Sequence, residues 1–142
     1  MSYNIEQANS GYMALTAGGL AAGTTASQLK TVNTVTYLNN GIFKSKTAVA
    51  AITLSGTALA IGQACLFGVF LDASGNVTVT QGPIVNSGDP CPVPPASATG
   101  ATVIGLAKVT TTSAVFTPGT TLLGTGNTAS YLDVALMPGT AQ

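Results

Sequence analysis

CLFGVFLDASGNVTVTQG, residues 65–82, has the pattern of a tight β-hairpin. With its two preceding residues, QACLFGVFL (63–71) is apolar at both parities, as expected of a strand covered on both faces. DASGN (72–76) supplies the turn, and Gly75 suits the positive φ that such loops need. The return, NVTVTQG, alternates: Val77 and Val79 face one way, Thr78 and Thr80 the other. The only charge in the stretch is Asp72, at the turn.

Similar short apolar or Thr/Val-rich runs flank this hairpin, separated by turn chemistry. Upstream lie TVNTVTYL (31–38), the Asn-Gly turn NNG (39–41), IFKSK (42–46) and AVAAITL (48–54). Downstream lie ATVIGLAKVTT (101–111), AVFTPGTT (114–121), which runs into a Pro-Gly turn, and ASYLDVALM (129–137). In the last of these, alternation predicts Leu132, Val134 and Leu136 on the core side, with Tyr131 and Asp133 outward. DPCPVPP (89–95) cannot be a central strand, because proline removes ladder donors. No window has the apolar periodicity of an amphipathic helix, and Thr and Val favour strands. About eight short antiparallel strands in one domain predict an all-β fold, a single β-sandwich or barrel-like domain over residues 31–142. Residues 1–30 include TAGGLAAGTT, too glycine-rich for a stable helix, and read as an extended N-terminal arm with scattered apolar residues.

The 142 residues suffice for one domain with a real core. Only 6% are charged, against roughly 25% in ordinary soluble proteins. The cations are Lys30, Lys44, Lys46 and Lys108; the anions are Glu6, Asp72, Asp89 and Asp133; the net charge is zero. With 46% hydrophobic residues the chain lacks the composition of a disordered protein. So little charge leaves little to oppose association, which predicts a surface covered by other protein, in a homo-oligomer or a larger scaffold. Four scattered lysines form no patch for nucleic acid or an anionic membrane. The uncharged run from Thr47 to Leu71 is long enough to span a bilayer, but its glycines, Gln63 and the turn-like LSGTA predict two strands and a connection. The N-terminus shows no basic or apolar region of a secretory signal.

No residues are expected to be catalytic, cofactor-binding or metal-ligating. The chain has no His, so a Ser-His triad is excluded. Ser45 lies between Lys44 and Lys46, but in a strand it points away from both. The four acidic residues show no convergent pair, and DASGN lacks the further acidic ligands of a calcium loop. GTGN (124–127) has no following Lys and reads as a turn. Cys65 reads as a buried thiol and Cys91 as part of a Pro-rich loop, with a disulfide between them left open.

YLNNGIFKSKTA, CLFGVFLDASGNVTVTQG, VIGLAKV and FTPGTT…SYLDVALMPG together resemble a family of small virion proteins of tailed bacteriophages. The resemblance covers residues 35–139, rests on turn and strand motifs, and leaves the Cys-Pro loop at 89–95 outside the pattern. It implies a structural role: a decoration or cement protein, trimeric more often than dimeric, that sits on the capsid surface of the virion and binds neighbouring major capsid proteins. Synthesis would be in the host cytoplasm. A tail, baseplate or fibre-head structural or receptor-binding protein is the alternative.

Overall fold

A computed structural model describes residues 11–25, 28–95 and 100–135. Among these the chain forms strands and turns only. The strands are β1 (Met13–Ala14), β2 (Leu20–Ala22), β3 (Gln28–Thr31), β4 (Val35–Asn39), β5 (Ile42–Lys46), β6 (Ile52–Thr53), β7 (Gln63–Leu71), β8 (Val77–Gln81), β9 (Val85–Asn86), β10 (Thr102–Thr111) and β11 (Asn127–Asp133). They make three antiparallel sheets. One has the order β11-β10-β7-β8, with β9 also paired to β7; the others are β1-β4-β5 and β2-β3-β6. The fold is all-β and sandwich-like, and among the described residues no sheet closes into a barrel.

The hairpins follow from their turn residues. Asn40 and Gly41 both have positive φ, 52° and 75°, and the flanking pair is Asn39 opposite Ile42. This is the two-residue turn whose twist matches that of its strands. In the β7–β8 turn Gly75 has φ 80°, and its N–H donates to the Asp72 carbonyl at 3.1 Å. The Asp72 carboxylate accepts from the backbone N–H of Ser74 at 2.8 Å and of Asn76 at 2.9 Å. The charge-free run from Thr47 to Leu71 contains β6 and β7 with a connection between them. No helix among the described residues is long and apolar enough to cross a membrane.

The core lies against the inner face of the five-stranded sheet. Cys65, Phe67, Val69 and Leu71 of β7 and Ala107 and Val109 of β10 are buried there, with Val77 and Val79 packed at the margin. Ala14, Leu20, Leu29, Val35, Tyr37 and Ile52, from the two smaller sheets, close over them. The Phe67 and Phe116 rings meet edge to face, with centroids 6.3 Å apart. Two buried polar side chains tie one sheet to another. The Thr102 hydroxyl donates to the Leu38 carbonyl at 2.8 Å, and Asn39 Nδ2 donates to the Gly100 carbonyl at 2.6 Å, tying β4 to β10.

Several expectations need correcting. Met13–Ala14, Leu20–Ala22 and Gln28–Thr31 are part of the sheets: β1 pairs with β4, β2 with β3, and β3 with β6. Met13, Ala14, Leu20 and Leu29 are buried, so the packed body extends well before residue 31. Glycine there removes helix propensity without removing strand pairing, and these four apolar residues are core residues. Residues 1–10 of the expected arm lie outside the described residues. TVNTVTYL is two strands, because the Val32 and Asn33 N–H groups both turn to the Gly18 carbonyl at 2.8 Å. AVAAITL enters a ladder only at Ile52–Thr53, and AVFTPGTT only through a single bridge from Phe116 to Leu59.

The faces of β11 are also opposite to expectation. Leu132 is 60% exposed, whereas Tyr131 packs against the core. Asp133 accepts a 2.9 Å hydrogen bond from the Leu20 N–H. In the register, Tyr131 stands opposite the small Ala107, which leaves room for the ring, and Leu132 stands opposite Leu106 on the outer side. Val134 is buried as expected, and Leu136 lies outside the described residues.

Candidate interaction surface

Alternation along β7 and β10 leaves a second face to the five-stranded sheet. One row across it reads Thr80, Gly68, Leu106, Leu132; the next reads Leu66, Lys108, Ser130. Part of this face is covered by the proline-rich segment that follows β9. Pro94 is buried against β7, at the place where Gly68 has no side chain. A Cβ at Gly68 would stand 2.7 Å from the Phe70 ring and 3.0 Å from Pro94 Cγ. Without it the segment lies flush on the strand, and Phe70 is buried beside it. This is how β7 comes to be covered on both faces. The hydroxyls of Thr78 and Thr80, also on this side, are buried and have no hydrogen-bond partner among the described residues.

Between that segment and β11 the face is open. A groove of about 490 Å³ runs there, with Phe70, Val103 and Leu106 on its floor and Val93, Leu132 and Val134 along its sides. A second hollow of about 250 Å³ continues it past Leu106 and Leu132 toward Leu66 and Tyr131. Val93 is 66% exposed. The charged groups bordering the two hollows are Lys108 and Asp133, and the latter is held by the Leu20 N–H. The surface is therefore apolar, broad and nearly uncharged. It suits contact with another protein surface through packing rather than ion pairing.

The groups that could carry chemistry are dispersed. Ser45 pairs opposite Thr36, on the other face of β5 from Lys44 and Lys46. Asp72 is bound into its own turn, chiefly by the Asn76 N–H, and this holds its carboxyl below the ordinary value. Asp89 lies in the loop after β9, Asp133 ends β11, and Glu6 lies outside the described residues. No three of His, Cys, Asp and Glu converge among the described residues. Cys65 and Cys91 are both free thiols. Cys65 sits on the inner face of β7, where burial raises its thiol to about 11, although Gln81 Nε2 lies 3.6 Å from its sulfur. Burial raises the Tyr37 phenol, with a further contribution from the Asp72 charge, and burial alone raises Tyr131.

Sequence reading missed the groove because it assigned Leu132 to the core and set DPCPVPP aside as a loop. The signal that bore on it was Gly68, a glycine within an otherwise apolar strand, which marks close approach by another backbone. No protein-family model, curated protein or solved structure matches this chain.

Proposed function

We propose that the protein is a structural component of a tailed-phage particle that decorates the capsid and cements neighbouring major capsid proteins. The observation that carries this reading is the open outer face of the five-stranded sheet, a broad apolar groove bounded by Val93 and Leu132 with almost no charge around it. A rigid β scaffold with such a face is suited to lying against another protein. Binding the assembled shell and not the free coat protein would stabilise the shell by mass action, with each copy contributing its own binding free energy. The sparse charge of the chain, 6%, agrees with contacts of this kind.

The test is the location and copy number of the chain in purified particles, read by electron microscopy and quantitative mass spectrometry. A copy number commensurate with that of the coat protein supports the reading. Confinement to the tail, baseplate or fibres, or absence from particles, overturns it. Attachment is also expected to survive about 1 M salt, where the Debye length falls to about 3 Å and charge contacts are screened.

A further inference from the structure

We infer that the free edge of β5 is a docking site for residues 2–6 of a second copy of this chain, which add to it as a further strand. The inference does not depend on the role in a particle. Among the described residues β5 is the outermost strand of its sheet and β4 is the one strand it packs on, while Lys46 passes beside Gly75 and Lys44 shares a hollow with Asp72 of the β7–β8 turn. Ile42 and Phe43 at its start are 58% and 68% exposed. Its side chains divide by register. Ile42, Lys44 and Lys46 stand with Asn39, Tyr37 and Val35 on one face; Phe43 and Ser45 stand with Leu38 and Thr36 on the other. Neither lysine has an ion-pair partner among the described residues. An edge of this kind is a template for pairing, and its lysines select a strand that brings a carboxylate.

The start of the chain supplies such a strand. Ser2-Tyr3-Asn4-Ile5-Glu6 alternates, with Tyr3 and Ile5 at one parity and Asn4 and Glu6 at the other. Glu6 is the sole charged residue before Lys30. If Glu6 shares a face with Lys44 and Lys46, then Tyr3 and Ile5 fall on the face of Phe43 and Leu38. The opposite parity sets Glu6 against Phe43 and Ile5 against the lysines. Charge and apolar matching therefore choose the same register, and a slip of one residue loses both.

The point of departure of the segment favours exchange between copies. The Gly41 N–H donates to the Gly11 carbonyl at 3.0 Å, so the chain before Gly11 departs from the tip of the β4–β5 hairpin. To pair with the free edge of its own β5, residues 7–10 would have to cross three strand spacings, about 14 Å. They would also have to reverse direction around the tip, within a reach from Glu6 to Gly11 of about 16 Å. Exchange with a neighbour carries no such restriction, and each copy both gives and receives a strand.

The test uses full-length protein in sedimentation velocity over a concentration series, with amide hydrogen exchange of β5. The wild type is expected to self-associate to at least twice the 14.0 kDa chain mass, with β5 amides protected in step with association. Ile5→Asp is expected to weaken association at least tenfold at an unchanged melting temperature. Glu6→Lys alone and Lys44→Glu with Lys46→Glu are each expected to weaken it, and the combined triple variant to recover it. A monomeric wild type at every concentration overturns the inference. So does association indifferent to Ile5→Asp, or a triple variant no tighter than its parents. Protection of β5 that is independent of concentration assigns the edge to the same chain and likewise overturns it.

Discussion

Cys65 is buried on the inner face of β7, and its thiol titrates near 11 where an exposed one titrates near 9.0. Between these values the unfolded chain gives up a proton that the folded chain keeps. The stability contributed by the neutral thiol is therefore complete below pH 9 and declines as pH rises toward 11. The raised Tyr37 and Tyr131 phenols act in the same direction at higher pH. Urea midpoints are expected to fall between pH 8 and pH 10.5, and to fall less in Cys65→Ala. At pH 8 iodoacetamide should modify Cys91 in the native protein and reach Cys65 only on unfolding, read as one and then two adducts by mass spectrometry. Burial of Cys65 was legible in its apolar neighbours. The outward setting of Leu132 was not, because a leucine in an alternating strand carries no mark of which face will be covered.

The hairpins are the elements most directly written in the chain. Asn40-Gly41 and Asp72–Asn76 fix their turns through local backbone chemistry, and IFKSK and QACLFGVFL became β5 and β7 with the expected bounds. The segment carrying Pro94 is different, since its position depends on a glycine more than twenty residues away. Gly68→Ala sets a methyl group against Phe70 and Pro94. It is expected to destabilise the fold by about 1–3 kcal/mol, as overpacking does. It should also make the peptide bonds around Val93 more susceptible to thermolysin, measured by cleavage rate under native conditions. Unchanged stability together with unchanged cleavage would show that the segment does not lean on β7. Leu132→Ser, on the open face of β11, is expected to alter stability by no more than about 0.5 kcal/mol in urea titration. On the proposed function it should nonetheless weaken attachment to particles.

Taken together, the three sheets form one body because residues from both ends of the described chain share a core. Leu20 and Leu29 pack in the same cluster as Val109 and Phe116. Deleting residues 1–30 removes β1, β2 and most of β3, and with them Met13, Ala14, Leu20 and Leu29. The truncated chain is expected to lose cooperative unfolding and near-ultraviolet circular dichroism. A truncated domain that melts like the full chain would show that these strands are an accessory layer. The sequence by itself determined the all-β class, the turns and pairing of the β4–β5 and β7–β8 hairpins, and the scarcity of charge. Each of these depends on residues a few positions apart, where alternation and turn preference act. The tertiary structure alone decided that the N-terminal strands belong to the body, that Tyr131 rather than Leu132 faces the core, and that Val93 and Leu132 border one groove. Those outcomes depend on which surfaces meet across long stretches of chain, as the Leu20 N–H meets Asp133, 113 positions away. A pattern of period two names two faces of a strand, and only the packing of distant strands selects the one that is buried.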